Sequence, residues 1–524
     1  MRNIKQLYYI NIKYLPISLI FSTLAENSAM LGDYQQTRLS EYARIYDILI
    51  PSDHIFRRMN EEIDFSFVRK ELQDKYSIGM GRSAEDPVRM FKYLMLKAMH
   101  PASDVDLVKR AYTDMSYKFF LGLNPEDDVI DPSSLSKFRR QRLQDVDLLS
   151  LLISKSVAMA IEKGIIRRKS DIIVDATHEL AKSITYNPID YLRKMAGQIL
   201  KACEPFYNET FHREDLPACA KGADIKAMKE YSIALISALE ESGIAQIPAV
   251  GNKVSLLKEG LEDMEHLSYV AKDKDAKFGS KGPGKSFYGY KAHLGMTPES
   301  IVVAASVTSG EASDGDCLVP LVQQAIRNGI EVESAIADAA YASKENLDAL
   351  KGRIKLVAPV NPIITQGHRK DTDTGFHYNK DADTYVCPAG ELAKCKYYQK
   401  PREKKTDADG KVVRKFKNAH MVYGFDTKKC QQCPMRKGCY NGTKSKSYSV
   451  TILCDTHKEQ IEFEKTPEFK RKLKKRKRIE PLNAHLKNDL GMKRNISYGI
   501  ESMTMQTAVA IYMSNIQKVM RFQG

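Results

Sequence analysis

Tryptophan is absent from this chain of 524 residues, so any aromatic stacking against a ligand falls to its 27 tyrosines and 18 phenylalanines. Long apolar runs are missing as well. The apolar stretch near the N-terminus, YLPISLIFSTLA (14–25), is twelve residues long, too short to cross a hydrocarbon core of about 30 Å. It follows a few basic residues, as the apolar part of a secretion signal does. The second methionine, Met30, however, opens MLGDYQQTRLSEY, which has the make-up of an ordinary cytosolic start. Residues 1–29 are therefore expected to be an extension upstream of the natural start, or a disordered tail. Cysteine is scarce, nine in all, and four of the nine fall in one patterned cluster. The remaining usage fits a reducing compartment, and the expected location is cytoplasmic. Acidic residues are outnumbered, 66 against 81 Lys and Arg, for a net charge of +15.

That positive charge is concentrated. Residues 465–494 hold twelve Lys or Arg and three Asp or Glu, so nine of the fifteen net charges lie in thirty residues. Clustering of this kind points to a phosphate-rich partner. A helix lying on a membrane surface would need bulky apolar anchors, and between Lys470 and Arg478 only Leu473 offers one. A single carboxylate, Glu480, closes the run, and Lys487 follows seven residues later. A carboxylate set against so much positive charge suits a metal ligand that handles a polyanion. Pro481 disfavours helical geometry at Glu480, so the helix is expected either to kink at 480–481 or to restart with Pro481 as its first residue. An unbroken helix would put Arg476, Glu480 and Lys487 on one face; with the break only the relation of Glu480 to Lys487 survives.

A chain this long is expected to divide into about two to four domains. Residues 38–150 pattern as helices. Asp86-Pro87 is a cap followed by proline at the first helical position, Ser103–Asp104 starts a second helix, and Asp131-Pro132-Ser133 opens a third that ends in KFRRQRL. Such a bundle with a basic last helix suits DNA binding, though an ordinary helical bundle reads the same way. The chain then changes character. SDIIVDATHE (170–179) is a short β-branched run ending in Asp175, and 186–270 return to helical patterning. SFYGYKAHLGM (286–296) and SIVVAASVTSG (300–310) read as a hairpin. A helix over 316–328, a strand ESAIADAAY ending in Asp338 and a buried strand IKLVAPV (354–360) follow. This order predicts a mixed sheet with helices against it, an α/β layer fold. The C-terminal MTMQTAVAIYMSNIQKVM is amphipathic and is expected to pack as a core helix.

Asp175 and Asp338 each fall at the end of a predicted buried strand, where charge is rarely placed for packing and where the sites of open α/β sheets collect. One such aspartate is a cap or turn former as readily as a ligand. Asp175, Asp338 and Glu480 together, beside a basic run, point to hard oxygen ligands for Mg²⁺ or Mn²⁺. Two such ions about 3.5–4 Å apart can clamp the attacking and leaving oxygens of a phosphoryl displacement.

These residues resemble the bacterial insertion-sequence transposases of the DDE class. Arg476, Glu480 and Lys487 match three positions of a Tyr-Arg-Glu-Lys signature at its spacing, with Leu473 where the tyrosine is expected. VDATHE around Asp175 and ADAAYAS around Asp338 are similar to the strands carrying the family's first and second aspartates. The segment DKDAKFGSKGPGKSFYGYKAHL and the N-terminal helices also resemble the family, and the likeness extends over residues 30–520. It implies an RNase H-like mixed sheet flanked by helices, preceded by an all-α N-terminal domain and carrying helical and Cys-rich insertions. The expected division is 30–150 for a helical DNA-binding domain and 165–360 for the catalytic core, with its helical insertion over about 186–275. A Cys-rich insertion over 361–455 and a C-terminal helical part over 456–524 complete it. The implied activity is metal-dependent cleavage of double-stranded DNA at transposon ends, then strand transfer into target DNA. Asp175, Asp338 and Glu480 would hold two ions. Arg476, Lys487 and Tyr341 would contact phosphates, beside Lys470, Arg471, Lys474, Lys475 and Arg478 of the basic run. A homodimer on DNA is implied, because two ends must meet, and any flipped base must stack on Tyr or Phe. The alternatives are an inactive DNA-binding descendant and a nuclease that cuts without joining.

Cys430-x₂-Cys433-x₅-Cys439, preceded by Cys387 in VCPAG, has the ligand types of a tetrahedral Zn²⁺ site. The long gap to Cys387 and the spare Cys395 leave plain reduced thiols as the other reading. A zinc there would be structural. GSKGPGKS (279–286) fits a P-loop pattern but lacks the preceding buried strand and following helix, and reads as a flexible lead into the hairpin. His178-Glu179 lacks the second histidine of a zincin, because position 182 is lysine; both read as near-site or surface residues.

Overall fold

The computed structural model describes residues 40–522 apart from 77–83, 183–184, 187, 208–210, 219–222, 267–269, 283–284, 362–374, 380–381, 404, 407–411 and 415. The extension expected over 1–29 lies outside the described residues. Helices begin where the sequence supplies caps. The Asp86 carboxylate accepts from the Val88 N–H, and Pro87 takes the first position of α1 (Pro87–Met99). Ser103 caps α2 (Asp104–Thr113), and Asp131 caps α3 (Pro132–Gln141), again with proline first. α4 (Leu148–Glu162) buries Leu149, Leu152, Ile153, Val157 and Ala160.

β1 (Lys169–Leu180) is longer than the short strand expected, and Asp175 lies within it rather than at its end. Three helices follow: α5 (Pro188–Cys203), α6 (Ile225–Glu241) and α7 (Pro248–His266), packed round a core of their own that includes Leu192, Ile199, Leu235 and Leu257. The chain returns through β2 (Lys277–Gly282), β3 (Lys285–Met296) and β4 (Val302–Ser309). The described residues of the stretch that mimics a P-loop, 279–282 and 285–286, lie in β2 and β3, which pair with each other, so these are strand rather than a flexible lead, and strand instead of helix follows them. α8 (Leu318–Arg327), β5 (Glu331–Ile336), α9 (Lys344–Leu350) and β6 (Lys355–Val357) complete the layer.

The six strands form one mixed sheet in the order β2-β3-β1-β5-β6, with β4 also paired to β3. β1 is antiparallel to β3 and parallel to β5, and β5 is parallel to β6. The ladder to β5 stops at the pair Ile173–Ile336, whereas the ladder to β3 continues to Leu180. Asp175 is thus past the end of the parallel ladder though inside its strand. Asp338 stands the same two residues beyond the same pair. Parallel register therefore brings two aspartates from distant parts of the chain to neighbouring positions.

The polar segment that follows folds as a hairpin, β7 (His377–Asn379) and β8 (Thr384–Val386), and a three-stranded antiparallel sheet. That sheet comprises β9 (Cys395–Gln399), β10 (Ala419–Phe425) and β11 (Lys446–Ile452), with α10 (Thr427–Gln432) after β10. Its buried residues are few: Tyr423, Phe425 and Tyr448 form one cluster, and Ala419 and Val422 of β10 are buried beside them in the sequence.

The C-terminal part runs through α11 (Asp455–Glu464), α12 (Pro467–Leu473), a 3₁₀ stretch over Lys474–Arg478, α13 (Ile479–Asn488) and α14 (Ile500–Phe522). The expected kink or restart at Pro481 does not occur there. The chain tightens earlier, at 474–478, and Pro481 is the third residue of α13. In the first helical turn its missing N–H has no intrahelical partner to lose. Leu473 packs against the main apolar core. α14 is the core helix expected, packed on α1, α4 and β4. Its fully buried Asn515 accepts from the Val302 N–H (2.9 Å) and donates to Val302 O and Ser156 Oγ (2.9 Å each). The N-terminal helices, the sheet and α14 share one continuous core.

Candidate active site

Asp175 is the centre of the polar cluster at the end of the parallel ladder. Asn483 Nδ2, from α13, donates to its Oδ2 at 3.3 Å, and Arg476 Nη2, from the 3₁₀ stretch, lies 3.5 Å from its Oδ1. Burial raises its pKa, the charges of Asp338 and Asp314 add to this, and Arg476 opposes them. Asp338 caps the turn after β5, its Oδ1 accepting from the Ala340 N–H at 2.8 Å. Asp314, in the turn after β4, pairs with Lys291 at 2.8 Å. Asn346 Nδ2 donates to both Gly315 O (2.7 Å) and Tyr341 O (2.9 Å), which ties that turn to the one following Asp338.

Glu480 stands in the first turn of α13, four residues after Arg476 and three before Asn483, both of which touch Asp175. Its own side chain is exposed. Among the described residues no three His, Cys, Asp or Glu side chains are gathered closely enough to hold a metal ion. Asp175 and Asp338 nevertheless suit one: both offer hard oxygens, and the Asp175 carboxylate is held up by burial and by its acidic neighbours. Arg476 Nε and Asn483 Oδ1, buried beside it, have no hydrogen-bond partner.

The basic run is fastened to the sheet by a residue that the sequence did not single out. Asp171, on β1, is 5% exposed and accepts from Lys472 Nζ and Lys475 Nζ, both at 2.8 Å, and from Ser334 Oγ. Burial works against its ionisation, but these hydrogen bonds outweigh it and hold the carboxyl down at about 2. Lys470, Arg471, Lys474, Lys477 and Arg478 remain exposed.

Lys487 is half-buried, and its charge opposes the effect of burial on Glu179. Glu179 is 0% exposed, so of the two expected readings, near-site or surface, the surface one does not hold; neither carboxylate oxygen has a hydrogen-bond partner, and burial raises its pKa well above the usual range. Tyr341 is 1% exposed, with its ring in the core. Its hydroxyl is buried without a hydrogen-bond partner, so it is closed to the phosphate contact expected of it in this arrangement. Cys387, Cys430, Cys433 and Cys439 line one cavity of the Cys-rich segment, whereas Cys395 is exposed on β9 beside Gly424.

The signal for Asn483, seven residues from Arg476, ran across the break expected at Pro481 and so was lost. Asp171 and Asp314 had none, because only strand register and turn packing bring them in. Among the described residues no helix is long and apolar enough to cross a membrane.

Two family models match the chain. A Transposase domain (DUF772) matches residues 44–141, which holds α1, α2 and α3. A Transposase DDE domain matches residues 251–516, half of the chain, taking in Asp338 and Glu480 but starting after Asp175. No curated protein matches the chain. With a nucleic-acid-cutting family matched over half its length, and two aspartates side by side past the end of the parallel ladder beside the basic run, the chain belongs to the DDE transposases.

Proposed function

We propose that this transposase cuts DNA at the ends of its own element and joins the freed 3′-hydroxyl to target DNA, with Asp175, Asp338 and Glu480 holding Mg²⁺ or Mn²⁺. The observation that carries the reading is the parallel register that sets Asp175 beside Asp338, with Arg476 and Asn483 on the first of them. When bound, two divalent ions supply charge stabilisation at the attacking and leaving oxygens. The chain's own residues do the rest. The β1–β5 ladder fixes the two aspartates relative to one another. Asn483 orients the Asp175 carboxylate. Arg476 and Lys487 take phosphate oxygens, and Lys470, Arg471, Lys474 and Arg478 hold the duplex backbone. Lys475 acts mainly by anchoring the run through Asp171. Glu480 joins the pair from the first turn of α13.

The strand order, antiparallel on one side of β1 and parallel on the other, supports an RNase H-like arrangement. The N-terminal helices over 30–150 are read as DNA-binding, the helices within 186–275 and the segment 361–455 as insertions, and a homodimer as the form that pairs two ends.

The test is cleavage of a labelled duplex carrying the element's own end, with Mg²⁺ or Mn²⁺. Wild type is expected to cut and to give a strand-transfer product, while Asp175→Ala, Asp338→Ala and Glu480→Ala each bind DNA and fall below detection in cutting. Normal cutting by Glu480→Ala would remove it from the set. Wild type that binds and never cuts would favour the binding-only reading, to which the exposure of Glu480 and the leucine at 473 lend weight. Cutting without joining would leave a nuclease.

A further inference from the structure

The four cavity-lining cysteines come from separate places: Cys387 from the turn after β8, Cys430 from α10, and Cys433 and Cys439 from the loop that follows. Each is held by a tight backbone turn. The Gly390 N–H donates to Cys387 O (2.9 Å), the Cys433 N–H to Cys430 O (3.4 Å) and the Cys439 N–H to Arg436 O (3.0 Å). None of the four is in a disulfide. Cys395, which the spacing left as a rival ligand, is on the neighbouring strand, where its Sγ lies 2.8 Å from the position a Cβ on Gly424 would take. The structure thus separates the four from the fifth.

We propose that Cys387, Cys430, Cys433 and Cys439 bind one structural Zn²⁺ that clamps the β7–β8 hairpin to α10 and the three-stranded sheet. The physical need is visible in the packing. Four buried aromatics, Tyr423, Phe425, Tyr440 and Tyr448, with Val386, Ala419 and Val422 are a small core for this segment, and small units of this kind are commonly completed by a metal or by disulfides. No three of the sulfurs stand at shared-ligand distance without the ion. Loading therefore requires χ1 rotations of the cysteines and release of their thiol protons as Zn²⁺ displaces them. Four thiolates leave no open position, so this ion takes no part in DNA cleavage.

The experiment uses the full chain purified under reducing conditions from zinc-supplemented medium. Its metal content is measured, and its native thiols are titrated with a chromogenic disulfide before and after a chelator. Expected are about one Zn²⁺ per chain, slow reaction of four thiols until the chelator is added, and fast reaction of Cys395. Cys395→Ser should keep the zinc, while Cys430→Ser and Cys433→Ser should lose it. Zinc-free wild-type protein whose four thiols react as fast as Cys395 would overturn the proposal without recourse to any variant. So would full zinc retention in Cys430→Ser.

Discussion

Two buried carboxylates on β1 behave in opposite ways because of what surrounds them. Asp171 has two lysines and a serine on its oxygens; Glu179 has no hydrogen-bond partner on either oxygen. For Asp171 the folded carboxyl titrates at about 2, below the unfolded value of about 3.9. Its contribution to stability is therefore present above about pH 4 and is lost as the pH falls towards 2. Asp171→Asn should cost about 3 kcal/mol, since it leaves Lys472 facing the sheet without an anion, and a melt at pH 7 against one at pH 3 should show the penalty shrinking at the lower pH. Glu179 is raised, so the sign reverses: it carries no ionisation penalty while protonated and destabilises further as the pH rises above the unfolded value of about 4.3. Glu179→Gln is expected to raise Tm at pH 8 and to leave it near wild type at pH 4. An unchanged Tm at both would mean that Lys487 already neutralises the carboxylate.

At the scale of the element, the basic segment does two jobs with one composition. Lys472 and Lys475 turn towards Asp171, while Lys470, Arg471 and Lys474 face solvent. The change from α-helix to 3₁₀ over 474–478 redistributes the side chains between these faces. Each phosphate contact adds about 0.9 to the slope of log affinity against log salt. Replacing Lys470, Arg471 and Lys474 with Gln together should lower that slope by about 2 to 3 and leave Tm unchanged. Lys472→Gln should lower Tm and leave the slope near wild type. A slope unaffected by the triple change would place the duplex on another surface.

At the scale of the molecule, the N-terminal helices and the sheet are joined through α14, and Asn515 is the polar pin of that junction. Asn515→Leu would strand the Val302 N–H and C=O, while the Ser156 hydroxyl would keep its bonds to Leu152 O and Ile153 O. A loss of about 2–4 kcal/mol is expected, read from a denaturant titration. Because the core is continuous, fluorescence of the N-terminal tyrosines and far-UV circular dichroism should report one shared transition for these parts in the variant as in wild type.

Caps, periodicities and the basic run are local properties, and the sequence by itself determined them. Asp86-Pro87 and Asp131-Pro132 opened helices where expected, the α14 pattern identified a core helix, and the aspartates with Glu480 and its neighbours were sufficient to resemble a transposase. What only the tertiary structure decided is how distant pieces meet. The length of β1 depends on the partner strand that pairs with it, so Asp175 moved from a strand end to the end of a ladder. The fate of Pro481 depended on where the helix tightened. Burial of Tyr341 and Glu179, the anchoring of two lysines by Asp171, and the separation of Cys395 from the other four cysteines all arise from contacts between segments far apart in the chain. No short window of sequence carries such contacts, because their free energy appears only when the partner segment is in place.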